Sequence, residues 1–148
     1  MTKNLDKEGL SSIVDNYELF YVDLWGVVHN GVSLHGEAIR TLTEISKKNK
    51  DYVLLTNAPR PNNAVKNFLE KLGMKKDIRE HVFTSGEAAL NYLKKNLSNK
   101  KFFHIGPPRD FDLFKDLKKM KSEIIENSEY ILCTGLFDNH DKDLTFYK

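Results

Sequence analysis

The sequence predicts an α/β fold, a doubly wound parallel sheet of about five strands. Three observations predict it. Short runs of β-branched and aromatic residues recur along the chain, stretches with apolar residues three and four apart lie between them, and glycine, proline or small polar residues mark the joins. Strands alternating with helices pair in parallel through right-handed crossovers. The carboxyl ends of the strands are therefore expected along one edge, where open α/β sheets bind ligands.

The first strand is read at residues 18–23, in the run Glu18-Leu19-Phe20-Tyr21-Val22-Asp23, and is expected to be buried. It ends in a carboxylate that can hold a metal ion, attack phosphorus, or simply cap its turn. Before it, residues 1–17 carry Leu10, Ile13 and Val14 at the spacing of a short amphipathic helix. After it, the loop from Leu24 to Gly36 holds three glycines and no helical period. Ile39, Leu42 and Ile45 then share a helix face within 37–49, and Tyr52-Val53-Leu54-Leu55 forms the second strand, ending at Thr56-Asn57. Pro59 and Pro61 delay the next helix, which Asn62 or Asn63 caps and Gly73 stops, with Val65, Phe68, Leu69 and Leu72 as its apolar stripe.

His81-Val82-Phe83-Thr84 reads as the third strand, with Ser85 as N-cap of a helix that Glu87 opens over Ala88–Leu97. Lys101–Ile105 is the fourth strand, stopped by Gly106-Pro107-Pro108, and Phe111, Leu113, Phe114 and Leu117 suggest a short helix. Glu129–Cys133 is the fifth strand, ending at Thr134-Gly135, and the tail from Phe137 to Lys148 reads as a polar linker. Four of the strand ends, Asp23, Thr56-Asn57, Thr84-Ser85 and Thr134-Gly135, offer small polar groups suited to a small anion. Thr84-Ser85 is the better helix cap, and Thr56-Asn57 the better functional pair.

A chain of 148 residues matches one domain, and 40% hydrophobic with 30% charged residues suits a soluble globule. The net charge of +2, from 23 basic and 21 acidic residues with scattered lysine pairs, argues against a nucleic-acid partner. No apolar run nears the roughly 20 residues that span a bilayer, and the polar N-terminus lacks a signal core. One cysteine, Cys133, cannot form an internal disulfide, which fits the cytoplasm. Its apolar neighbours make it a packed core thiol.

Asp23-Leu24-Trp25-Gly26-Val27 resembles the first motif of the haloacid dehalogenase-like superfamily, aspartate-x-aspartate-glycine after an apolar strand. Leu54-Leu55-Thr56-Asn57-Ala58 resembles its second motif as the class IIA branch of nitrophenylphosphatase-type and nucleotide monophosphatase-type enzymes carries it. Phe68–Gly73 followed by Val82–Ala89 is similar to the same branch. The resemblance implies a Rossmann-like core and a hydrolase of small phosphorylated metabolites. Asp23 would be the nucleophile, forming an aspartyl-phosphate. Mg²⁺ would sit on Asp23 and the backbone carbonyl of Trp25, and Thr56, Asn57 and Gly26 would hold the phosphoryl group.

The chain departs from the pattern in two places. Trp25 stands where most members have a second aspartate that protonates the leaving group, help worth roughly 10²–10⁴-fold, and indole cannot transfer that proton. A class IIA subgroup carries a similar aspartate-x-tryptophan-glycine. His29 is the nearby candidate for a substitute acid, with an exposed loop histidine the preferred reading. The family's later lysine and Gly-Asp motifs, which follow an inserted cap domain, have no counterpart, and Asp138, Asp141 and Asp143 read as solvated linker. The expected organisation is thus an N-terminal segment at 1–17, the first half of a class IIA core at 18–136, and a linker at 137–148 towards an absent cap. Such a fragment would be weakly active or inactive. It would bind Mg²⁺ weakly, because one carboxylate and one carbonyl leave most of an octahedral shell to water.

Two alternatives remain open: a non-catalytic phosphate- or nucleotide-binding module, and a receiver-type phospho-acceptor. The second ranks lower because receivers carry the acceptor on the third strand. An open edge at Glu18–Val22 invites pairing with a second copy. A homodimer or swapped dimer is therefore expected in size-exclusion chromatography with light scattering, and a monomer at every concentration would contradict it.

Overall fold

The computed structural model describes residues 5, 6, 8–140 and 144–147. The chain divides into two compact units, residues 1–56 with 66–83, and residues 57–65 with 84–148.

Three strands, β1 (Leu19–Asp23), β2 (Asp51–Thr56) and β3 (Val82–Thr84), form one sheet in the order β1-β2-β3. β1 and β2 run parallel, in register from Leu19 opposite Asp51 to Asp23 opposite Leu55. Between them lies helix α1 (Gly36–Lys47), whose Leu42 and Ile45 are buried as the 3.6-residue period requires. β2 alternates as a strand with one packed face should: Tyr52, Leu54 and Thr56 are buried, while Asp51 and Leu55 are exposed. Helix α2 (Asn62–Lys71) contributes the fully buried Leu69 to the first unit. Gly73, at φ 87°, ends the helical stretch, and Met74 N–H returns to the Leu69 carbonyl at 3.0 Å.

In the second unit, helix α4 (Ser85–Asn96) precedes β4 (Phe102–Ile105), β5 (Lys121–Ser122) and β6 (Tyr130–Cys133). These strands make a parallel sheet in the order β5-β4-β6. Its core joins Leu90 and Leu93 of α4 to Phe102, Leu113, Phe114 and Leu117. Phe102 is wholly buried, stacked on Tyr130 at 5.6 Å and edge-on to Phe114 at 5.3 Å.

The α/β class with parallel strands is as expected, but the details differ. There are six described strands in two three-stranded sheets. β5 and the one-turn helix α3 (Lys76–Arg79) are too short to show a periodicity in the sequence. The expected N-terminal helix is two 3₁₀ turns, Leu10–Ser12 and Val14–Asn16, with Val14 buried. The helix expected around Phe111–Leu117 is a 3₁₀ stretch, Pro108–Met120, broken at Phe114.

β1, expected to be buried, leaves Leu19 and Tyr21 exposed, because only its alternate residues pack and the other face is open, as Asp51 and Leu55 on the central β2 also show. The same holds for β6, so Cys133 is exposed and not a core thiol. The tail is less of a linker than its polarity suggests. Phe137 stacks with Tyr147, whose hydroxyl accepts the Phe137 N–H at 2.7 Å. Asp138 pairs with Arg109, while Asp141 and Asp143 lie outside the described residues. No described helix is long and apolar enough to cross a membrane.

Truncating the most enclosed aromatic leaves a cavity the sheet cannot close. Phe102→Ala should cost about 3–5 kcal/mol in urea denaturation; a loss below about 1 kcal/mol would show that Phe102 does not anchor this core.

Candidate functional site

The β1–β2 register builds the site. Asp23 ends β1 opposite Leu55, and Thr56, the next residue, ends β2. Both strands therefore close at one edge of the sheet, Asp23 on the face that Leu55 shares and Thr56 on the opposite, buried face. Asp23 is exposed and Thr56 is buried, 9% accessible.

The loop after Asp23 is a tight scaffold. Val28 and His29 N–H both reach the Leu24 carbonyl, and Gly26 N–H donates to the His29 carbonyl at 2.8 Å. Gly26 sits at φ 78°, a conformation side chains rarely adopt, and no atom lies within 4 Å of where its Cβ would be. Glycine is thus demanded by the backbone angle, and the space beside it is open to a ligand.

His29 is not the exposed loop histidine the sequence suggested. It is 5% accessible, with its ring edge-on to Trp25 and to Phe68, both at 5.5 Å. Its Nδ1 accepts the Gly31 N–H at 3.0 Å, which places the ring's proton on Nε2. Burial holds its pKa below the ordinary 6.5, His35 lowers it further, and the nearby Asp23 opposes both. A neutral imidazole in that position shapes the loop and is a poor proton donor. Trp25, by contrast, is 64% exposed.

Asn57 is exposed and opens the loop 57–61 in the second unit. That loop is tied to the start of α4. The N-cap is Thr84, one residue before the expected Ser85, and its hydroxyl accepts the Glu87 N–H at 2.9 Å. Thr84 N–H donates to the Asn62 side chain at 2.9 Å, and the Glu87 carboxylate accepts the Asn62 N–H at 2.9 Å. Ser85 hydroxyl and Gly86 N–H both donate to the Ala58 carbonyl, at 3.0 and 3.1 Å. A Cβ on Gly86 would lie 2.3 Å from the Arg60 backbone. The Thr-Ser-Gly-Glu stretch is therefore a clamp on the loop that follows Thr56.

A further polar cluster, at the ends of β4 and β6, went unread beyond the small residues Thr134 and Gly135. Buried His104 lies 2.9 Å from the Thr134 hydroxyl through Nε2, and a Cβ on Gly106 would be 2.1 Å from that same oxygen. Burial lowers the His104 pKa, helped by Lys121 and opposed by Asp110.

Among the described residues no three His, Cys, Asp or Glu side chains converge as a metal cage. Asp23 and the Trp25 carbonyl, the donors expected from the sequence, would together be a two-oxygen set. Such a set fits a hard cation that keeps most of its water, as Mg²⁺ does, and does not fit zinc.

β1 thus ends in an exposed carboxylate, and the parallel strand paired with it closes in threonine. Residues 20–119 match the haloacid dehalogenase-like hydrolases, and the chain belongs to that family. It is 33% identical over 110 residues to phosphoglycolate phosphatase 2 of Arabidopsis thaliana, covering 69% of this chain and 35% of that enzyme. A haloacid dehalogenase-like hydrolase of Brucella suis superposes with a TM-score of 0.75 at 30% identity, over 87% of this chain and 46% of its own. A 4-nitrophenylphosphatase of Thermotoga maritima gives 0.65 at 25%, over 91% and 49%. These relatives support the class IIA placement, and the chain spans half or less of their length.

Both buried histidines have folded pKa values below 6.5. Below that value the unfolded chain binds protons the fold refuses, so stability is complete above it and declines as pH falls towards the folded values. The urea midpoint should fall between about pH 7 and about pH 5.5, and less steeply in His104→Gln. A midpoint that rises on acidification would contradict this.

Proposed function

We propose that this chain carries the nucleophile-bearing part of a phosphohydrolase that acts on a small phosphomonoester through an aspartyl-phosphate on Asp23. The observation that supports the reading is the parallel pairing of β1 with β2, by which the strands ending in Asp23 and Thr56 close at the same edge of the sheet. Phosphatase relatives support the reaction class.

In this reading an Asp23 oxygen attacks phosphorus. The Thr56 hydroxyl and Asn57 bind the phosphoryl oxygens, and the open, left-handed Gly26 leaves room for them. Asp23 and the Trp25 carbonyl would hold Mg²⁺, which when bound offsets phosphate charge. That two of its donors are protein groups supports weak binding. The clamp from Thr84 and Glu87 onto the 58–62 loop holds the segment after Thr56 in place, so that donors need not reorganise during reaction.

A second reading, a phosphate-binding module without turnover, is favoured by Trp25, an indole at the position where a proton donor would stand. One titration separates these from a structural Asp23. Beryllofluoride with Mg²⁺ should bind the wild type and lose at least about tenfold in affinity in Asp23→Asn. Hydrolysis of a chromogenic phosphate ester would then mark the enzyme and its lack the binder. Equal binding by wild type and variant would overturn both.

A further inference from the structure

The second unit holds a feature that the phosphoryl chemistry does not use. A hollow of about 390 Å³ is lined by the 3₁₀ stretch Pro108–Met120 and by the chain from β5 onward. That volume falls in the roughly 300–1,000 Å³ range of small-molecule sites. Its apolar wall is Phe111 and Phe114, with ring centres 5.3 Å apart; Phe111 is 43% exposed and Phe114 is buried. Its basic rim is Lys115, Lys118 and Lys121.

Local geometry gathers those lysines. A 3₁₀ helix turns once in three residues, so side chains three apart stand in line, whereas an α-helix would carry each step about 60° out of line. Beyond the break at Phe114, Lys115 and Lys118 are three apart, and Lys121 follows the helix at the same spacing. Phe114 and Leu117, also three apart, go to the core instead. Like charges set in a row repel. Lys121 is paired with Glu123 at 2.7 Å, and its ammonium lies 5.3 Å from the Phe111 ring centre. Asp116, the acid next to Lys115, is taken by Lys94 at 2.7 Å. Lys115 and Lys118 form no ion pair among the described residues. Asp112 and Glu123 are the carboxylates of the hollow, so three ammonium groups face two acids and one positive charge is left over.

An apolar wall beside one surplus positive charge is complementary to one kind of ligand. We propose that the hollow binds small organic monoanions, a single carboxylate on a compact apolar body, aryl or short acyl. The body lies against Phe111 and the methylene stems of the lysines, which cover apolar surface while their heads stay in water. The carboxylate accepts hydrogen bonds from Lys115 and Lys118 and relieves their repulsion. Lysine offers three rotatable donors and no fixed fork, so the carboxylate is held by charge and the body by shape. The site lies wholly within the second unit, shares no residue with the proposed phosphoryl site, and stands or falls apart from it.

Titration of ¹⁵N-labelled full-length protein with 2-naphthoate, octanoate and acetate tests the site. The larger anions should shift the amides of residues 111–123, and the better of them should bind at least about tenfold tighter than acetate, which carries the charge without the body. The tighter of the two identifies the body as aryl or acyl. Replacing both unpaired lysines, Lys115→Gln with Lys118→Gln, should weaken that binding about three- to tenfold while the amide spectrum away from the hollow stays as in the wild type. Raising the salt concentration should weaken it in the wild type more than in the double variant. Equal affinity for acetate and both larger anions, unchanged affinity in the double variant, or no shift within residues 111–123 at about 10 mM probe would each overturn the site.

Discussion

The pairing of β1 with β2 is the constraint on which the site depends. Side chains alternate faces along a strand, so a one-residue slip of β2 would expose Tyr52 and Leu54 and bury Asp51 and Leu55. Tyr52 and Leu54, both almost wholly buried, hold β2 in phase. The helix between the strands adds Leu42 and Ile45 to the same core. The register that follows, Asp23 opposite Leu55, is fixed by packing several residues from the carboxylate. The carboxylate itself contributes little to the core and stays exposed.

The loop after β1 works differently. It buries Leu24 and Val28 almost completely and is further ordered by hydrogen bonds that turn it back on itself, with His29 as the hub. Its glycines have separate reasons. Gly26 is set by backbone angle alone, whereas Gly31 also yields space to the indole. The second unit uses a comparable economy: Gly86 lets Arg60 approach, and Thr84, Ser85 and Glu87 fasten the 58–62 loop with short hydrogen bonds.

Long, strongly patterned elements were legible in the sequence. α1, β2 and β4 fall where their periodicity puts them, because each buries a regular stripe. Asp23 and Thr56 were legible as strand-ending polar residues, and their register follows once the strands pair in parallel. Three things were not. β5 and α3 are shorter than any pattern can show. The exposure of Tyr21 and Cys133 depends on which face of each sheet is covered, a tertiary property that composition does not encode. The burial of His29 depends on Phe68, which lies 39 positions further along the chain, and on a hydrogen bond to Gly31 that no spacing rule announces.

The account reduces to a covalent event at one residue. Incubating the protein with Mg²⁺ and phenyl phosphate, quenching in acid and reducing with borohydride converts an aspartyl-phosphate to homoserine. Peptide mapping should then find homoserine at position 23, and none in Asp23→Asn. Homoserine at another carboxylate, or unchanged Asp23 in protein that is visibly releasing phenol, would contradict it.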